Sequence, residues 1–206
     1  MPVTRTLIIA NVIVFALQAL WGDAFIEWFA LWPLGAHDVP DLHAMVSFHW
    51  WQLATSAFLH GSLLHIALNM WGLYLFGHDV ERTLGSARYL VLYAAAVLSA
   101  SLVQLAVVSA TTDSLAYPTV GASGGVFGLL LAFGVLFPRR VLVLIFPPIP
   151  IPAWLFVTLY GLIELANGVF GTEAGVAHFA HLGGMLGASL VLWRWRASER
   201  NDSGRW

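Results

Sequence analysis

Six stretches of this chain are apolar for long enough to cross a hydrocarbon core about 30 Å thick, which takes roughly 20 residues of helix. They fall at about 6–22, 52–77, 87–110, 121–137, 150–168 and 175–193. No tandem repeat, low-complexity tract or linker separates them, so the pattern predicts one all-α membrane domain over residues 1–206. Arg5 precedes the first stretch as in a signal peptide, but no small-x-small cleavage site follows Leu20-Trp21, and the stretch reads as a span. Residues 23–49 differ. Phe25, Ile26, Trp28, Phe29, Leu31 and Trp32 are mixed with Asp23 and Glu27, and Pro33 and Gly35 then break the run. That pattern suits a helix lying in the membrane interface, with Trp50 and Trp51 marking headgroup level.

Charge fixes the expected orientation. The chain has nine arginines and no lysine. Arg5 precedes the first span. Arg82 and Arg88 lie between the second and third, Arg139 and Arg140 between the fourth and fifth, and Arg194, Arg196, Arg200 and Arg205 after the sixth. All fall on one side of an alternating six-span path, which the positive-inside rule assigns to the cytoplasm, together with both termini. Composition agrees: 59% of residues are hydrophobic and 10% charged, against about 25% charged in soluble domains. Mean hydropathy is +0.80. The absence of cysteine removes disulfides, thiolate metal sites, iron–sulfur clusters and a cysteine nucleophile. A net charge of -2 gives no reason to expect a nucleic-acid partner.

Polar groups inside a bilayer are costly and need a reason. The second span carries His60, His65 and Asn69, the fourth Ser123, the fifth Glu164 and Asn167, and the sixth His178 and His181. Counting back from the arginines at about 1.5 Å per residue puts Ser123 roughly 24 Å above Arg139, and His181 roughly 20 Å above Arg194. His65 and Asn69 lie roughly 25 and 20 Å above Arg82 on the same scale. These four groups share a level inside the membrane, nearer the outer face. Gly124 and Gly128 on the fourth span, and Gly183, Gly184, Gly187 and Ala188 on the sixth, form small-xxx-small pairs that let helices approach closely. Such a contact would bring Ser123 to His181.

A serine hydroxyl needs a base to take its proton. A histidine can do so and return the proton to the leaving amine. The Ser123 N–H, His65 and Asn69 are candidate donors to the developing oxyanion. No acid lies near His181 in sequence or in counted depth. Glu164 counts as too deep, so the expectation is a Ser–His dyad. Taken alone, G-x-S-G is better explained by helix packing than by catalysis; the combination carries the reading.

The order and spacing of these groups resemble the rhomboid proteases in their compact bacterial form. His60-Gly-Ser-Leu-Leu-His65-Ile-Ala-Leu-Asn69 is similar to the family's second-span H-x4-H-x3-N. Gly121-Ala122-Ser123-Gly124 matches its G-x-S-G, and Ala180-His181-Leu182-Gly183-Gly184 its sixth-span histidine motif. Glu81-Arg82-Thr83-Leu84-Gly85-Ser86 resembles the turn after the second span. The resemblance implies a six-span rhomboid-like bundle with an interfacial first outer loop, in a bacterial inner membrane. It implies a Ser123–His181 dyad and an oxyanion site at His65 and Asn69. The implied cavity opens outward and is capped by the loop between spans five and six. Span five, from about Trp154, would form a lateral gate. The implied partners are the lipid bilayer and single-pass transmembrane protein substrates, with no cofactor and no metal; homo-oligomerisation is left open. Two positions depart from the family. Gln52 follows Trp51 where arginine is usual, which puts the order of the outer loop in question. Phe127 stands where tyrosine often stacks on the histidine, and an aromatic ring can still stack there.

Competing readings are a catalytically silent rhomboid-like protein that binds membrane clients, and a haem protein ligated by two of His60, His65, His178 and His181. The haem reading leaves G-x-S-G and Asn69 unexplained. No H-E-x-x-H is present for a metalloprotease, and no inverted repeat for a transporter.

Overall fold

The protein is described by a computed structural model, whose described residues are 2–111, 117–144, 147–171 and 176–203. It is a helical membrane bundle. Helix α1 runs over Pro2–Trp21, and the short α2 over Asp23–Phe29. A hairpin of β1 (Ala36–Val39) and β2 (Ala44–Ser47) follows. The expected second span is interrupted: α3 (Gln52–Thr55) and a 3-10 turn (Ser56–Phe58) lead to a break at 59–62. Helix α4 (Leu63–Gly72) then passes through a π-helical turn (Leu73–Gly77) into α5 (His78–Leu84). Helices α6 (Ser86–Thr111) and α7 (Ser123–Leu136) come next. A small hairpin of β3 (Val141–Val143) and β4 (Pro150–Pro152) precedes α8 (Ala153–Phe170), and α9 (His178–Ser203) follows. By length and composition α1, α6 and α8 can each cross a membrane. Helix α7, at 14 residues, is shorter.

Glycines draw α6, α7 and α9 together at the centre. A methyl on Gly184 would overlap the carbonyl of Gly124, and one on Gly128 would overlap the Ala96 side chain. On the other side of α9, a methyl on Gly183 would lie 2.9 Å from the Ser99 carbonyl, and one on Gly187 2.5 Å from that of Ala95. The backbones therefore meet at a distance that only small residues permit, as the glycine spacing on spans four and six predicts. Helices α1 and α8 are peripheral and leave most of their apolar side chains exposed.

The first outer loop corrects the sequence expectation. Its helix covers only Asp23–Phe29, and the hairpin was not foreseen. Buried Trp32 packs with Ala30, Val39, Val46 and Leu59 in a satellite core beneath the loop. Gln52, fully buried, holds this loop. Its Oε1 accepts from the N–H groups of Trp32 (3.3 Å) and His49 (3.1 Å), and its Nε2 donates to the Ser47 carbonyl (3.3 Å). The order that the Trp51-Gln52 departure put in question is thus supplied by the glutamine amide.

At the arginine-bearing end, buried Glu81 staples α1 to the α5–α6 turn. Its carboxylate accepts from the backbone N–H of Val3 (3.0 Å) and Thr4 (2.9 Å), and from the hydroxyls of Thr4 (2.7 Å) and Ser86 (2.7 Å). The two N–H groups belong to the first turn of α1, where donors lack intrahelical acceptors and a negative charge is favoured. Burial pushes this carboxyl up, but the bonds from Ser86, Thr4 and Val3 outweigh it and bring it down to about 2.

Candidate active site

The turn into α7 is built by Gly121. Its φ of 126° is open to glycine and strained for other residues. Its N–H donates to the Ser56 carbonyl at 2.9 Å, and a methyl on it would lie 2.7 Å from His65 Nε2. The segment leading in is pinned by reciprocal backbone bonds between Leu31 and Thr119, both 3.0 Å. Ser123 is the first residue of α7, so its N–H is one of those left without an acceptor inside the helix. The N–H of Ala122 donates over 3.5 Å to Nε2 of His60, which is fully buried. His60 is itself held by Gln18 of α1, whose Oε1 accepts from the His60 N–H (3.1 Å) and whose Nε2 donates to its carbonyl (2.8 Å).

His181 lies one turn into α9 and reaches Ser123 across the Gly124–Gly184 contact, with Nε2 2.9 Å from Oγ. The expectation that no acid approaches His181 does not hold. Glu164 Oε2 lies 2.8 Å from His181 Nδ1 and 2.7 Å from His178 Nδ1, and all three residues are buried. Counted from Ala153, where α8 begins, Glu164 stands eleven residues or about 16 Å along the helix, close to the level counted for His181. Phe127, one turn below Ser123, stacks on His181 with centroids 4.1 Å apart and planes 4° from parallel. Tyr160 of α8 stacks behind Phe127 at 5.3 Å, and Phe156 behind Tyr160 at 5.5 Å. The ring that stacks on the histidine is thus Phe127, and Tyr160 backs it from another helix.

His65 faces the serine through Gly121. Its Nδ1 accepts from the Gly61 N–H at 3.4 Å, which leaves Nε2 to carry the proton and point at the site as a donor. Asn69, a turn further along α4 and buried, donates Nδ2 to the His65 carbonyl at 2.9 Å, so its amide is engaged on its own helix. Trp154 is not brought to the site. It is half exposed, at the hairpin end of α8, about 15 Å along the helix from Glu164. Most of the loop expected to cap the site, at 172–175, lies outside the described residues. A small cavity of about 30 Å³ beside Ser123 is lined by Ser56, Ser101, Gln104, Thr119, Gly121 and Gly124 among others.

The ligand atoms of Glu164, His178 and His181 lie within 4.8 Å of one another, close enough to consider a metal. Zinc holds such ligands at about 2.0–2.1 Å, which sets two of them ~3.3 Å apart at a tetrahedral angle. At 2.7 and 2.8 Å the imidazoles are in hydrogen-bond contact with the carboxylate instead. Nor does the haem reading fit His181, whose two ring nitrogens are engaged by Ser123 and Glu164.

Of the groups that sequence reasoning singled out, the geometry joins Ser123, His181, Phe127 and His65. It adds Glu164, which had been set aside, and Tyr160, which carried no motif. Residues 47–197 match the family described as Rhomboid domain. The chain is 30% identical over 165 residues to Rhomboid protein 1, mitochondrial, of Saccharomyces cerevisiae, covering 73% of this chain and 45% of the relative. It is 32% identical over 200 residues to RHOMBOID-like protein 12, mitochondrial, of Arabidopsis thaliana, covering 90% and 56%. It is 26% identical over 203 residues to Rhomboid protease AarA of Providencia stuartii, covering 91% and 70%. The chain thus spans about half the length of the first two relatives.

Proposed function

Because the chain belongs to the rhomboid family, we propose that it is an intramembrane serine endopeptidase that hydrolyses peptide bonds in or near transmembrane helices. The observation that carries this reading is the 2.9 Å contact between Ser123 Oγ and His181 Nε2 at the start of α7, where backbone N–H groups are free to face an anion. As Oγ attacks the scissile carbonyl carbon, its proton passes to Nε2 and the carbonyl electron pair moves onto oxygen. In this reading the Ser123 N–H and His65 Nε2–H stabilise that oxyanion, and Asn69 joins them through the second hydrogen of Nδ2, the first being bound to the His65 carbonyl. Collapse of the intermediate breaks the C–N bond, and the proton on Nε2 leaves with the amine. Water then repeats the sequence on the acyl-serine.

The same reading makes the protein a six-span component of a bacterial inner membrane, with the arginine-bearing end and both termini cytoplasmic. Its substrates are single-pass transmembrane proteins cut near the outer face, where helix-breaking residues expose a carbonyl. The deciding experiment is cleavage of a helix-destabilised single-pass substrate in detergent by native protein and by Ser123→Ala. Cleavage by the native protein alone upholds the reading. No cleavage by either, with no fluorophosphonate labelling of Ser123, replaces it with a silent, client-binding role.

A further inference from the structure

We propose that Glu164 is a positioning carboxylate for His181 and that His178 is the anchor that holds it, so the Ser123–His181 pair has a supporting third member on α8. The inference rests on the serine-peptidase reading and deepens it. Both imidazoles direct Nδ1 at one oxygen, Glu164 Oε2. An ionised carboxylate only accepts, so both nitrogens carry protons. That fixes the tautomer of His181: Nδ1 is protonated, and the Nε2 lone pair faces the Ser123 hydroxyl. When His181 takes the serine proton it becomes a cation in a buried site, next to a carboxylate already in contact.

His178 fits the anchor role because, among the described residues, its buried Nε2 has no hydrogen-bond partner. The bond to Glu164 is then what its polar ring contributes. It sits edge-on to His181, with centroids 6.4 Å apart, and so approaches the carboxylate from a different direction. Two donors on one oxygen hold it more firmly than one, while the aromatic ladder holds the face of His181. Glu164 touches no reacting atom and acts only through the imidazole.

A bland alternative is that Glu164 merely ties α8 to α9. The two are separated by steady-state kinetics on a single-pass substrate, fluorophosphonate labelling of Ser123, and thermal melting in the same detergent. Glu164→Gln should lower kcat about 100-fold, within the usual range for losing support of a general base, with KM and melting temperature near native. Labelling of Ser123 should slow in step. Glu164→Asp, which keeps the charge, should recover part of the loss. His178→Gln should lower kcat by less and should add nothing in the Glu164→Gln background. Native labelling and kcat in Glu164→Gln overturn the inference, as does a fall in kcat that tracks melting temperature across Glu164→Gln, Glu164→Asp and His178→Gln. Failure of the native protein to label or cleave overturns the peptidase reading itself, which keeps the two failures distinct.

Discussion

Two buried carboxylates sit at opposite ends of this bundle and do opposite things with their burial. Glu81 is saturated by groups that do not titrate near neutral pH: two backbone N–H groups and two hydroxyls. Glu164 is held by two imidazoles, one of which extends to a serine hydroxyl. The partners distinguish the two, since both side chains are almost wholly buried. A carboxylate closed off by fixed donors is a fastener. On the proposed reading, one whose donor has a second, basic nitrogen orients a base.

The comparison can be broken or sharpened by measurement. The largest effect expected is the kcat loss in Glu164→Gln at near-native stability. The mirror experiment is Glu81→Gln, which removes a charge from a site of four donors. Charge-assisted bonds are worth about 1.5–3 kcal/mol each, so loss of about 2–3 kcal/mol of stability should appear as a lower melting temperature. Ser123 labelling per folded molecule should stay native. If Glu81→Gln abolished labelling without destabilising the protein, the distinction would collapse.

Acid sharpens the same contrast more gently. The Glu81 carboxyl falls from an ordinary 4.5 to about 2 in the folded protein. Its stabilisation is therefore fully present above the ordinary value and fades as pH falls through the folded one. Between about pH 5 and about pH 3, the melting temperature of Glu81→Gln should drop less than that of the native protein. An equal drop would mean that other groups govern acid sensitivity. The smallest effect concerns the ladder. Phe127→Tyr keeps the stacking surface and should change kcat less than about threefold, whereas Phe127→Leu forfeits an aromatic contact worth ~0.5–1.5 kcal/mol. A large change in Phe127→Tyr would show that the hydroxyl matters after all.

How much of this was legible in the sequence divides along the same lines. Ser123, His181 and the glycine contact between them could be read because each rests on local spacing within one helix. Glu164 could not, because the β3–β4 hairpin stands between Arg140 and α8, so its height cannot be counted from an arginine as those of Ser123 and His181 can. The hairpin in the first outer loop was hidden for another reason: its strands are four residues each and bury one residue apiece, Val39 and Val46, against Trp32 and Leu59 outside them. Gln52 read as a departure from pattern. Its role emerged only from three backbone groups that the fold brings to it.

Helix α8 supplies both Glu164 and Tyr160, yet it is among the least buried of the long helices. Hydrogen bonds weaken beyond about 3.2 Å, so an outward shift of α8 by roughly half an ångström to one ångström would strain the carboxylate contact with His181 and loosen the stack on Phe127 together. On the proposed mechanism, lipid thickness or a substrate helix pressing on that exposed face would act on the support of the base. The membrane's own mechanics would then be an input to the chemistry, delivered through one of the two least buried long helices.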